Sequence, residues 1–218
     1  MSENLTELTD KIISCEACHL KEGRTQVVPG IYGPKSSLCF IGEAPGYYED
    51  KEGVPFVGRS GKLLDKMLEG INLVKQRDLS ILNIIKCRPT TEEGNNRTPN
   101  EKELRFCGER WLHKQLNFLS PKMIVTLGGV ALKFFSPNTS VTKTAGKMIN
   151  TDSNYQIFVM YHPAYILRNY NLMEEYNSQF ESIKQVLNSK LVELSLSEKE
   201  QQKTPKQKGE QKSLTDFL

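Results

Sequence analysis

Four short runs of almost unbroken apolar residues constrain this 218-residue chain more than any other feature. They lie at 38–41 (Leu-Cys-Phe-Ile), 79–86 (Leu-Ser-Ile-Leu-Asn-Ile-Ile-Lys), 123–127 (Met-Ile-Val-Thr-Leu) and 156–160 (Gln-Ile-Phe-Val-Met). A strand with one wet face alternates apolar with polar residues; a run without alternation is buried on both faces. Helical patterns stand between the runs. Leu63, Leu64, Met67 and Leu68 share one face after Lys62, and Pro99, Glu101 and Glu103 open a helix expected to reach about Leu119. A last amphipathic helix is expected over 174–194. This order specifies an α/β fold whose mainly parallel, four-stranded sheet is covered on both sides.

In such a sheet a ligand binds beyond the carboxyl ends of the strands. After the first run, Gly42-Glu-Ala-Pro-Gly46 supplies two glycines, a proline and one carboxylate, Glu43. Glycine allows tight turns and close approach to a ligand, and Pro45 stiffens the bend. A glycine-punctuated loop carrying Phe56 follows. Asn83 is an amide among aliphatic residues near the end of the second run, and His162 directly follows the fourth. A carboxylate, an amide, an imidazole and an aromatic ring can together hold a planar polar heterocycle. Each also has a plain structural alternative: Glu43 a surface turn residue, Asn83 a satisfied core amide, Phe56 a hydrophobic plug, His162 a helix cap. Lys86, Arg88 and Lys133 read as solvated surface charges. Gly128-Gly129 reads as close helix packing, because no Lys-Ser/Thr signature accompanies it.

The five cysteines are odd in number, which argues against a disulfide framework. Cys39 lies inside the first run and reads as packing. Cys15 and Cys18 form a Cys-x-x-Cys, Cys87 ends the second strand and Cys107 falls in a helix. Four thiols outside the strands suggest a four-cysteine site for a soft metal, and by spacing structural zinc fits as well as an iron–sulfur cluster. The formal net charge of +3 permits a local basic patch without arguing for one. With a polar, acidic start and no apolar run of bilayer length, the chain is expected to be an intracellular, cytoplasmic protein.

The motifs Gly42-Glu-Ala-Pro-Gly46, Gly53-x-Pro-Phe-Val-Gly-Arg-Ser-Gly61, Asn83-Ile-Ile-Lys-Cys-Arg-Pro89 and His162-Pro-Ala-Tyr-Ile-Leu-Arg168 resemble those of the iron–sulfur (family 4) uracil-DNA glycosylases. The likeness covers roughly residues 3–190, with every motif in order. It implies a three-layer α/β/α sandwich and one 4Fe-4S cluster on Cys15, Cys18, Cys87 and Cys107. It implies that Glu43 and His162 are catalytic, and that Gly42, Ala44, Glu49, Phe56 and Asn83 bind the uracil, with Glu49 crowding position 5 against a thymine methyl. Arg59, Ser60, Gly61 and Arg168 become candidate contacts to DNA. The expected substrate is uracil-containing DNA, acted on by a monomeric catalytic domain at 1–195.

From Ser197 the composition turns polar, and 196–210 is expected to be a disordered linker. Residues 211–218 end in apolar side chains that have no local core to join. Gln211-x-x-Leu214-x-x-Phe217-Leu218 is similar to the peptide that docks on the PCNA sliding clamp of archaea and eukaryotes, which implies a clamp-tethered enzyme of archaeal type. Two rivals stand beside this reading. One is a sister enzyme of altered chemistry, with broader excision of deaminated bases or covalent capture of the abasic sugar; capture implies an added basic loop with a histidine, and the segment at 90–100 has Arg97 but no histidine. The other is a metal-stabilised DNA-binding module without activity.

Overall fold

In the computed structural model, which describes residues 4–33, 37–151 and 155–203, the apolar runs become strands. They are β1 (Leu38–Gly42), β2 (Ser80–Asn83), β3 (Met123–Leu127), β4 (Met148–Ile149) and β5 (Gln156–Met160). The sheet order is β2-β1-β3-β5-β4, parallel throughout except for β4, which runs antiparallel to β5. Five strands replace the four expected. Two residues at an edge give no apolar run to detect, and β4 is held from outside its own pattern, with Gly146 N–H donating to Val159 O at 2.8 Å.

β2 is shorter than the run that announced it. Ile84 N–H and Ile85 N–H still donate to the carbonyls of Gly42 and Glu43, but Lys86 O turns away to accept from Val28 N–H. Cys87 therefore stands beyond the strand, in the crossing of two connections.

Both faces of the sheet are covered. On one face Cys39, Ile41, Leu82, Ile124, Ile157 and Val159 pack with Leu112, Leu116, Ala131 and Leu132. Side chains alternate across a strand, so Leu38, Phe40, Val125, Phe158 and Met160 point the other way, and all are buried as well. The helices are α1 (Leu5–Ile13), α2 (Leu20–Gly23), α3 (Tyr47–Glu52), α4 (Arg59–Gly70), α5 (Glu101–Cys107), α6 (His113–Leu119), α7 (Gly129–Phe135), α8 (Val141–Thr144), α9 (Pro163–Arg168) and α10 (Met173–Lys203). The result is the expected three-layer α/β/α arrangement.

Local chemistry sets the helix starts. Asn4 caps α1 and Asn100 caps α5, each in a capping box with a glutamate three residues on. The single helix expected from Pro99 to Leu119 is broken by a π turn at Gly108–Leu112, where Gly108 lies against Phe134 and Ile84. α10 continues past 194 to Lys203 and so enters the stretch expected to be linker. One compact unit ends at Ser182, and from Ile183 the chain belongs to a second. The clamp-peptide residues Gln211, Leu214, Phe217 and Leu218 lie outside the described residues. Among the described residues no helix is long and apolar enough to cross a membrane.

Candidate active site

β1 pairs with β2 on one side and β3 on the other. The winding therefore reverses between β1 and β3, and the carboxyl ends of these strands open a crevice where α/β sheets bind ligands. Four of the expected residues converge there. Asn83 closes β2 directly across the register from Gly42. A side chain at Gly42 would collide with Asn83 Oδ1 and would come within 2.8 Å of the Phe56 ring. Glycine at 42 is thus a matter of space: it lets the amide and the ring meet over the strand end. Asn83 Oδ1 is buried and has no hydrogen-bond partner. Natural cores satisfy most such atoms, and this one lies over the strand end beside the Phe56 ring.

Phe56 is held in an unusual way. Its φ is 55°, a left-handed conformation that a bulky residue adopts only under constraint. Three groups supply that constraint. Gly61 on the first turn of α4 presses on the Phe56 backbone, so a Cβ there would stand 2.9 Å from Phe56 Cα. Lys75 Nζ donates to Phe56 O at 3.0 Å. Glu49 accepts from Val57 N–H at 3.1 Å and Gly58 N–H at 3.0 Å through one oxygen, and from Gly46 N–H at 3.1 Å through the other.

These contacts give two of the expected site residues a structural role. Gly61 is buried beneath Phe56 and offers no surface to DNA. Glu49 is buried with both oxygens on backbone amides, so it ties the turn at Gly46 to the start of α4. That helix start already holds the Glu49 carboxylate, and the Arg59 side chain beside it is exposed.

His162 faces Phe56 with ring centroids 5.7 Å apart and planes inclined by 32°. It is also the helix cap that the plain alternative described: Nδ1 accepts from Ala164 N–H at 3.0 Å. The two roles reinforce each other. An accepting Nδ1 puts the proton of a neutral ring on Nε2. Burial, and secondarily the Arg168 cation, lower the pKa of His162 to about 4, so the ring is neutral at physiological pH. Gly128, with φ 89°, packs so close that a Cβ would lie 2.9 Å from His162 Cβ.

Glu43 is half-buried, and burial raises its pKa above the ordinary carboxylate value. It lines a cavity of about 270 Å3 with His162, Ala44, Arg97, Gly128 and Arg168. Gly46, Asn96, Ala164 and Arg168 also line an outer cavity of about 350 Å3 that includes Tyr48, Arg59 and Ser60. Arg59, Ser60 and Arg168 thus line the cavity next to the one that holds Glu43 and His162.

Several contributors carried no signal in the sequence. Lys86 and Arg88, expected on the surface, are buried: Lys86 Nζ donates to Asn83 O at 2.6 Å, and Arg88 donates to Asn96 Oδ1 and to Gly94 O. Burial lowers the Lys86 pKa to about 8. Asp50 is 1% exposed and accepts from Thr25 N–H at 2.8 Å, joining α3 to the N-terminal connection. Glu103, also buried, bonds Arg97, His19 and Asn100 N–H. Partners within a few residues hold Lys86 and Arg88, whereas Asp50 and Glu103 also draw on Thr25 and His19 from a distant segment. Lys133 is exposed as expected.

Cys15, Cys18, Cys87 and Cys107 gather in one cluster with Leu8, Ile12, Leu20 and Trp111, whereas Cys39 belongs to the sheet core. Trp111 Nε1 donates to Cys15 Sγ at 3.3 Å, and an Arg24 guanidinium nitrogen donates to Cys87 Sγ at 3.1 Å. Burial pushes the Cys107 thiol up to about 12 and the Cys87 thiol upward, so both keep their protons unless a metal replaces them. Four gathered thiols supplied with N–H donors are a donor set that suits a soft metal cluster. Among the described residues, no three His, Cys, Asp or Glu side chains close around a single ion. Ala44 packs against the cysteine cluster and also lines the inner cavity, so the two regions share a wall.

Comparison with known proteins agrees with this geometry. Residues 29–188 match the model of the uracil DNA glycosylase superfamily. The type-4 uracil-DNA glycosylase of Archaeoglobus fulgidus is 37% identical over 196 residues, covering 86% of this chain and 96% of that protein. The type-4 enzyme of Sulfurisphaera tokodaii is 38% identical over 192 residues, covering 84% of this chain and 85% of that protein. That of Thermotoga maritima is 39% identical over 170 residues, covering 77% and 85%. A strand-end carboxylate, an orphaned amide, a stacked ring and a neutral imidazole therefore occur in a chain that belongs to the uracil DNA glycosylase superfamily and, within it, to the type-4 family.

Proposed function

We propose that this protein extrudes deoxyuridine from DNA into the crevice and hydrolyses its N-glycosidic bond, leaving an abasic site that starts base-excision repair. The observation that carries the reading is Asn83, whose buried amide oxygen lacks a donor beside the Phe56 ring. Uracil N3–H is such a donor, and Asn83 Nδ2 would donate to O4. Cytosine presents the reverse pattern on this edge, so it would leave the buried amide mispaired. Phe56 stacks on the base; Gly42 lets Asn83 and Phe56 come together to hold it, and Ala44 lines the cavity beside it.

His162 Nε2–H donates to uracil O2 as negative charge develops there, and a neutral donor suits an oxygen that becomes an anion. Glu43 orients a water and favours the cationic sugar. Glu49 supports the pocket through Gly46, Val57 and Gly58; if it also excludes the thymine methyl, it does so from a carboxylate fixed by those amides. Arg59, Ser60 and Arg168 hold the DNA backbone. Cys15, Cys18, Cys87 and Cys107 would hold a 4Fe-4S cluster, which when bound cross-links the N-terminal segment to the loop after β2 and to α5. The 211–218 peptide, with Gln211, Leu214, Phe217 and Leu218, tethers the enzyme to PCNA.

The test is incubation of the purified full chain with a single-uracil oligonucleotide, followed by alkali. Scission at the uracil supports the reading, and intact strands with a fully loaded metal site refute it. An iron determination on the same sample decides between the cluster and zinc.

A further inference from the structure

Tyr47 and Tyr48 open α3 at the mouth of the crevice, 49% and 57% exposed, on a segment whose next two residues, Glu49 and Asp50, are buried. The two rings meet edge to face at 5.4 Å. Tyr47 is backed by Arg88, whose guanidinium lies 5.0 Å from the ring centroid and is itself anchored on Asn96 and Gly94. Tyr48 leans over Gly58, where a Cβ would touch its Cδ2 at 3.4 Å. Both tyrosines line the outer cavity, which shares Gly46, Asn96, Ala164 and Arg168 with the inner one.

A preorganised aromatic ring with an open face is a stacking platform for any nucleobase, and cations around it suit the phosphates on either side. Arg59, Arg168 and Lys51 supply those cations: the two arginines line the same cavity, and Lys51 Nζ is 5.8 Å from the Tyr47 ring centroid. A second protein would find here one ring pair on a concave, cationic rim. The two cavities share four lining residues, so a DNA strand reaching the inner one would run next to that rim. We infer that Tyr48, steadied by Tyr47, forms a second nucleobase subsite that stacks an unpaired base adjacent to the extruded nucleotide. The inference rests on the glycosylase reading and adds to it a preference for locally unstacked DNA.

The experiment compares binding of single-stranded oligonucleotides that carry one 2′-fluorinated deoxyuridine, a nucleotide that resists excision. In one, both flanking nucleotides bear bases; in the others an abasic spacer replaces the flanking base on one side. The wild-type chain is expected to bind about tenfold more weakly when the stacked base is missing. Tyr48→Ala should reduce that ratio to about one, and Tyr48→Phe should keep it, because the ring and not the hydroxyl carries the stacking. A wild-type ratio of one on both flanks, or a Tyr48→Ala ratio as large as wild type, overturns the inference. Ordinary deoxyuridine oligonucleotides, run in parallel, separate the two failures. Excision with a flank-insensitive ratio sinks the subsite alone, whereas absence of excision sinks the glycosylase reading and the subsite with it.

Discussion

Gly61 lies directly beneath Phe56, so close that a Cβ on it would stand 2.9 Å from Phe56 Cα and collide with the carbonyl group above. The base-stacking ring and the first turn of α4 are therefore one unit. Gly61→Ala is expected to expel Phe56 from its left-handed backbone conformation and to cost about 1–3 kcal/mol of stability, the usual range for overpacking. Uracil excision should fall more steeply than stability, as read by single-turnover rate and thermal melting on the same sample. Equal losses in Gly61→Ala and in an exposed control such as Lys62→Ala would refute this coupling.

Glu43 and His162 are tuned in opposite directions, the carboxyl upward by burial and the imidazole down to about 4. At neutral pH this gives a carboxylate beside a neutral ring. Protonation of Glu43 removes its charge, so on acidification the excision rate should fall with a midpoint above the ordinary glutamate value of 4.5. Glu43→Gln should lose at least about a hundredfold in rate and should lack that acid limb. A limb that persists in Glu43→Gln would assign the titration elsewhere.

Glu103 joins Arg97 from the wall of the inner cavity to His19 beside Cys18. Arg97 foremost, with the Asn100 amide and His19 behind it, depresses the Glu103 pKa from 4.5 to about 2. A depressed carboxylate stabilises the fold fully above its unfolded value and loses that contribution as pH falls toward its folded value. Stability should thus decline between about pH 5 and pH 2 by on the order of 2 kcal/mol, discounted because Arg97 is partly solvated. Glu103→Gln should flatten this part of the curve in chemical denaturation across pH.

The two classes of cysteine should separate cleanly. Cys87→Ser is expected to lower bound iron and the melting temperature together, since cluster binding is coupled to folding. Cys39→Ala lies in the sheet core, apart from the other four thiols, and should keep its iron while losing about 1 kcal/mol to the small cavity. Metal analysis with calorimetry on both variants checks the assignment.

Removing residues 204–218 should abolish retention on immobilised PCNA, measured by surface binding. Retention by the truncated chain would place the contact elsewhere.

Much of this molecule is legible in one dimension because burial on two faces leaves its mark on composition. The runs at 38–41, 79–86, 123–127 and 156–160 announce β1, β2, β3 and β5, and the first, second and fourth of them locate Glu43, Asn83 and His162 before any coordinates. The separation of Cys39 from the other four cysteines follows equally from position. What escapes is mostly what depends on a partner far away along the chain. The burial of Asp50 and Glu103 depends on Thr25 and His19, far back in the chain, whereas Lys86 and Arg88 read as surface charges although their partners Asn83 and Gly94 lie only three and six residues away. β4 has too few residues to make a pattern, and β2 stops at Asn83 because Val28, more than fifty residues earlier, takes the carbonyl of Lys86. Glu49 and Gly61 resemble base and DNA contacts by motif, and the sequence does not show that packing also sets both to hold Phe56. The sequence by itself determined which chemical groups reach the crevice, through strand order and spacing. Only the tertiary structure decided which of them face the crevice and which hold it open, because burial and hydrogen bonding are settled between segments that the chain keeps far apart.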